Sequence, residues 1–184
     1  MIIDFRRNPS NEPKHKTIIE NKEVETVSSY KYLGTTFDDK LKWSNNTDDI
    51  VKKCNQRIYF LRKLNSFGVD KKVTKLLCSS FIESVLCFSF ICWFGNLDVK
   101  QKNKIKKIVN MCSKVIGKPL RSLSVYYNRQ VVKKARAILA CPNHALHEAF
   151  GYLPSQRRLR SVMTKSNRRR DSFVPTAVRL LNDV

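Results

Sequence analysis

The sequence predicts an α+β, mostly helical fold: a small antiparallel sheet, then a helical bundle, then a basic C-terminal extension. Three observations carry this. Short β-prone runs separated by turn residues fill the first 43 positions, and after Trp43 the apolar residues recur at i, i+3 and i+4. Charge changes at almost the same place: residues 1–50 hold eight Lys and Arg against nine Asp and Glu, whereas 51–184 hold 28 against six. A chain of 184 residues with 42% hydrophobic content can build a core, and five Gly and six Pro exclude collagen-like and low-complexity designs.

The elements follow in order. Residues 2–5, 17–20 and 23–27 are β-prone, with Asn21-Lys22 placed for a hairpin turn, and 30–37 reads as a strand interrupted by Gly34. After Trp43, Ser44 or Asn46 caps a helix carrying Val51, Cys54, Ile58, Leu61 and Leu64, and Gly68 stops it. Asp70 caps a second helix to about Phe94, apolar nearly all round. Its 19 residues from Leu76 to Phe94 barely reach a membrane span, and Glu83 and four serines interrupt them, so a buried central helix is expected. A third helix covers about 99–116 and a fourth about 122–140, with Pro142 followed by a short helix to Phe150. From Leu153 the chain is basic and looks extended, with a final short helix around Pro175. The domains expected are 1–43, 44–152 and 153–184.

A formal +21 exceeds what solubility needs and repels itself unless an anion neutralises it, so a polyanion is the expected partner. Five lysines lie between 100 and 107, and pairs 100/104 and 102/106 stack like charges at i, i+4, a pattern tolerated where a helix faces something negative. The residues expected to hold phosphates are Lys100, Lys104, Lys107, Lys133, Lys134, Arg136, Arg157, Arg158, Arg160, Arg168, Arg169 and Arg170, with Tyr126, Tyr127 and Phe173 as stacking surfaces. No sequence-reading DNA motif is present, so contact is expected to be non-specific. The start has no apolar leader and the six cysteines lie mostly in apolar runs, which predicts buried thiols in an intracellular protein, nuclear or cytoplasmic, with no membrane partner.

Catalytic signatures are missing. There is no phosphate loop, dinucleotide fingerprint, zinc-protease motif or Cys-x-x-Cys pair. Cys141, His144 and His147 lack a fourth zinc ligand, and read as packing residues. Asp38-Asp39 and Asp48-Asp49 invite a two-metal polymerase reading, but a strand-end turn and a helix N-terminus favour Asp for structural reasons. No catalytic residue, metal or cofactor is expected, and the sequence sets no oligomeric state.

Ordered strings then carry a resemblance: Met1-Ile-Ile-Asp-Phe-Arg-Arg7, Val27-Ser-Ser-Tyr-Lys-Tyr-Leu-Gly-Thr35, Leu41-Lys-Trp43, the run from Lys52 to Leu64, Phe67-Gly68, Trp93-Phe94-Gly95-Asn96, Ala135-Arg136, His144, Leu153-Pro-Ser-Gln-Arg-Arg158, Arg168 and Ser172-Phe-Val-Pro175. Together they resemble the C-terminal third of a non-LTR (LINE-type) retrotransposon reverse transcriptase. The resemblance implies a palm-remnant sheet at 1–43, a thumb-like helical domain at 44–152 and a basic tail at 153–184. It implies a parent RNA-directed DNA polymerase whose catalytic aspartates lie upstream of this segment, and a Met1 that is internal to a longer polyprotein. Gln156 stands where that family often has Gly.

Residues 44–69 are also similar to the N-terminal region named after AlkB-homologue tRNA-modifying enzymes, which join a 2-oxoglutarate dioxygenase to a methyltransferase. The iron-binding His-x-Asp pair and the Gly-rich methyl-donor loop of those activities are absent from this sequence. Beside a non-catalytic nucleic-acid-binding fragment, the alternatives are that AlkB-homologue association, a protein-interaction module using the 76–94 helix, and a reading frame with no stable product.

Overall fold

The computed structural model describes residues 17–25 and 27–183; the strand expected at 2–5 lies outside them. The fold is α+β and mostly helical, in two compact units, Met1–Asp49 and Ile50–Val184.

In the first unit two separate hairpins replace one small sheet. β1 (Ile18–Ile19) pairs antiparallel with β2 (Lys22–Glu23). The turn is Glu20-Asn21, both at positive φ (50° and 60°), one residue before the expected Asn21-Lys22. Two left-handed residues match the twist of the flanking strands, and Asn tolerates that conformation well. β3 (Ser29–Tyr32) and β4 (Thr35–Asp38) form the second hairpin. The expected interrupted strand is therefore two strands, turned by Leu33-Gly34 at φ 45° and 83°.

β4 ends on Asp38, whose carboxylate closes the next loop. It accepts the backbone N–H groups of Lys40 (3.1 Å), Lys42 (2.9 Å) and Trp43 (2.9 Å). Leu41 and Trp43 take positive φ there, a strained conformation that three bonds to one buried carboxylate hold in place. Trp43 packs at 5.3 Å on Phe37, and Thr36 joins the hairpin to the helix start through Asn46 Oδ1 and Asp49 Oδ2. Asp38→Ala is expected to destabilise this loop by about 2 kcal/mol, because it orphans donors that the fold partly buries. Faster hydrogen exchange at the Lys40, Lys42 and Trp43 amides reads it out; unchanged exchange contradicts it.

Helix α1 (Ser44–Ser66) begins in the first unit and buries Ile50, Cys54, Ile58 and Leu61 along one stripe. Within the second unit, the single helix expected from 70 to 94 is broken. α2 (Lys71–Leu77), capped by Asp70, passes into a π turn over Cys78–Glu83 and then α3 (Ser84–Leu86). Thr74, Cys78, Ile82, Leu86 and Phe90 are buried at four-residue steps. Four residues overshoot one α-helical turn by about 40°, and the wider π turn absorbs that drift. Arg57 of α1 donates a hydrogen bond to the Phe81 carbonyl inside the π turn. Ser89 at φ 49° then ends the run before α4 (Phe90–Trp93) and a 3-10 turn over Phe94–Asn96.

These pieces surround an aromatic core. Trp93 is fully buried, its ring is 5.2 Å from Phe90, and its indole N–H donates to the Phe88 carbonyl at 2.9 Å. Phe90 stacks on Phe94 at 4.3 Å, and Tyr127 meets both rings. Gly95 is a close approach: a Cβ there would sit 2.5 Å from the Asp171 carbonyl oxygen and collide with the Tyr127 hydroxyl. No single helix among the described residues is long and apolar enough to cross a membrane. The pieces Lys71–Leu86 and Phe90–Asn96 reach that composition only jointly, across a 44° bend.

α5 (Val99–Ile116) has a capping box, with Gln101 N–H on Asp98 Oδ1 at 2.6 Å, and ends on Gly117 at φ 73°. α6 (Leu123–Leu139) buries Tyr127, Val131, Ala135 and Ile138. The expected short helix before Phe150 is only a 3-10 turn, His147–Ala149. The basic stretch after Leu153 belongs to this same compact unit. Its α7 (Asn167–Arg170) adjoins α8 (Phe173–Asn182), and α8 packs on α6 with Ala177 and Val178 buried. Pro175 is tolerated because it lies in the first turn of α8, where backbone donors have no helical partner.

Candidate nucleic-acid interface

α5 divides its residues cleanly. Ile105, Ile108, Cys112 and Ile116 face the core, and Lys100, Lys102, Lys106 and Lys107 are exposed, with Lys104 half-buried. Lys100, Lys104, Lys106 and Lys107 line one open concavity with Asn103 and Asn110. No carboxylate occurs in the sequence of this helix, so any acid that meets the five cations of its first half comes from outside it, as Asp171 does near Lys102. Asn side chains among the lysines add donors that also fit phosphate oxygens.

The other expected residues sit on three further elements. Lys133, Lys134 and Arg136 are exposed on α6. Arg157, Arg158 and Arg160 are exposed around Leu159, which is buried. Asn182 of α8 pins that residue from both sides: its Oδ1 accepts the Leu159 N–H and its Nδ2 donates to the Leu159 carbonyl, each at 2.9 Å. Arg160 N–H adds a bond to the Gly151 carbonyl at 2.7 Å. The arginines are thus presented by an anchored loop.

Within that loop Gln156 takes φ 55°, the left-handed conformation that Gly adopts without a Cβ clash. Gln156→Gly is expected to stabilise the protein by about 0.5 kcal/mol, the relieved strain exceeding the added entropy of the unfolded chain. Calorimetry should register a Tm rise of about 1–2 °C; a fall would show that the side chain matters more than the backbone.

Arg168, Arg169 and Arg170 are exposed on α7. Arg170 forks onto Asp171, with Nε at 2.9 Å and Nη2 at 3.2 Å, so part of its charge is already matched. The Arg170 hydrogen bonds hold the Asp171 carboxyl below its usual range, with Lys102 and Arg179 adding to the effect. One carboxylate therefore draws together cations from α5, α7 and α8. Of the expected residues, Lys100, Lys104 and Lys107 share the concavity on α5.

Of the three expected stacking surfaces, one is overturned. Tyr127 is buried in the aromatic core, and burial pushes its hydroxyl pKa up. Tyr126 is half-buried, 6.0 Å from Phe90, and Phe173 is half-buried, 6.2 Å from Phe150. Among the described residues the exposed rings are Tyr30, Tyr32, Tyr59, Phe60, Phe67, Phe81, Phe88 and Tyr152.

The remaining candidates have structural occupations. His144 Nδ1 accepts the Leu146 N–H, tightening a turn, and no group of three or more His, Cys, Asp or Glu able to hold a metal occurs among the described residues. Cys54, Cys78 and Cys112 are buried free thiols, whereas Cys92 and Cys141 are exposed, contrary to the expectation of general burial. Burial pushes the Cys54 thiol up to about 11.

One family model matches the chain. Described as the N-terminal region of alkylated DNA repair protein alkB homolog 8, it covers residues 43–84, under a quarter of the length. That stretch comprises α1, α2 and the π turn. Neither curated proteins nor solved structures return a match. Residues 43–84 are thus similar to the alkB homolog 8 N-terminal region, over a longer span than the 44–69 expected from the sequence.

Proposed function

We propose that this chain is a non-catalytic nucleic-acid-binding module of LINE-type reverse transcriptase ancestry, which holds RNA or DNA through its phosphate backbone without reading sequence. The observation that carries the proposal is the concavity lined by Lys100, Lys106 and Lys107 on α5, a helix whose own sequence contains no acid. The anchored arginine loop and α7 add further exposed cations, and the resemblance over the sequence is what suggests the ancestry. Such a module would work where nucleic acid is, in nucleus or cytoplasm.

Substituting Lys100, Lys106 and Lys107 together by Gln tests it. Removing one phosphate-binding cation should flatten the dependence of log affinity on log salt by about 0.9 for duplex. The three together should lower the slope by nearly 3, equally on unrelated sequences. Filter binding or fluorescence anisotropy measures this, and an unchanged slope rejects α5 as the phosphate-binding element.

The match over 43–84 favours a second reading, in which the chain shares a helical module with alkB homolog 8. That reading predicts association with the corresponding chemistry. Calorimetric binding of 2-oxoglutarate with iron, or of a methyl donor, would carry it over the first.

A further inference from the structure

We propose that the groove between α1 and the π turn is a docking site for an amphipathic helix with acidic flanks. Phe60, Leu61, Leu64, Leu77, Phe81 and the stem of Arg57 line it. Phe60 is 64% exposed and Phe81 53%, so two phenylalanine rings stand at its mouth in water. At about 270 Å³ the groove lies below the roughly 300–1,000 Å³ of small-molecule pockets, yet accepts the side chains of a helix laid along it. The guanidinium of Arg57 bonds to the Phe81 carbonyl and so fixes the two walls together.

Charge selects the occupant. Past Asp49, α1 carries Lys52, Lys53, Arg57, Arg62 and Lys63 with no acid, and α2 carries three lysines and no acid. Glu83, the acid of the π turn, does not line the groove and accepts the Ser79 hydroxyl at 2.9 Å. A second copy of the chain would bring two strongly cationic surfaces together, which mutual repulsion opposes. Aliphatic Leu61, Leu64 and Leu77 form a slot for Leu or Phe anchors rather than flat faces for bases. The stretch similar to another protein, 43–84, contains both walls. This site is separate from the lysines of α5, and the inference stands apart from nucleic-acid binding.

The test uses the full chain and a labelled synthetic amphipathic peptide of about four helical turns, with Leu and Phe anchors and Asp/Glu flanks, followed by anisotropy. Saturable binding is expected. It should weaken about tenfold or more when the flanks become Lys, when the anchors become Ser, or when the protein carries Phe60→Ser, the size of effect an anchor residue has. Leu76→Ser, exposed but outside the groove, should leave affinity unchanged, and circular dichroism should be the same for all variants. Several results overturn the proposal: no saturable binding, equal binding of the Ser-anchored peptide, or indifference to Phe60→Ser. It is equally overturned if Phe60→Ser weakens single-stranded oligonucleotide binding but not the peptide, or abolishes a concentration-dependent dimer.

Discussion

Raising salt from about 50 to 200 mM is expected to weaken binding of a nucleic-acid duplex by roughly 10³–10⁵-fold, the drop that six to ten neutralised phosphates produce. The basic surface can neutralise that many. Four lysines on α5, three cations on α6, three arginines of the 157–160 loop and Arg169 of α7 are exposed, while Arg170 is engaged by Asp171. Each neutralised phosphate releases condensed counterions, and salt removes that entropic gain. The slope should be the same on unrelated sequences, because no recognised base-reading element stands among these residues. A flat response would mean that the cations serve solubility alone, and a slope that changes with sequence would mean direct readout.

Trp93→Ala is the largest stability change expected, a loss of about 3–5 kcal/mol. The indole is fully buried, and its removal leaves a cavity among Phe90, Phe94 and neighbouring rings. The Phe88 carbonyl also loses its donor where the chain turns at Ser89. Trp93→Phe separates the two effects, since it refills most of the space and still orphans the carbonyl; it should cost about 1–3 kcal/mol. Chemical denaturation measures both. Equal losses for the two variants would place the whole effect in the hydrogen bond.

Legibility in the sequence followed periodicity. α5 runs from 99 to 116, as its apolar spacing and Gly117 predict, and α6 differs from expectation by a residue at each end. The switch from strands to helices after Trp43 is equally plain, because period two gives way to period 3.6. The first hairpin slipped by one residue, since two-residue strands carry too little alternation to fix a register. The helix expected over 70–94 hid its breaks for a different reason. An almost wholly apolar run has no polar face to show where the period changes, so neither the π turn nor the left-handed Ser89 left a trace.

The candidate site divides the same way. Lysines repeated at i, i+4 announce a solvent face, and α5 presents one. Arg170 was expected to hold phosphate, and its engagement by the adjacent Asp171 came only with the structure. Aromatic exposure was not readable: Tyr127 lies at a helical position that faces the core, and Phe60 and Phe81 at positions that face out, but composition treats all three alike. The occupations of Asp38 and Asn182 depend on backbone groups several to many residues away, and no local pattern encodes those.

The clasp between Asn182 and Leu159 has a consequence for how this molecule ages. An amide can serve the loop on both sides because it carries both donor and acceptor groups. Deamidation would turn Asn182 into aspartate, which keeps the acceptor and presents a second oxygen to the Leu159 carbonyl. Slow hydrolysis of one side chain would therefore slacken the arginine loop with no change in the gene.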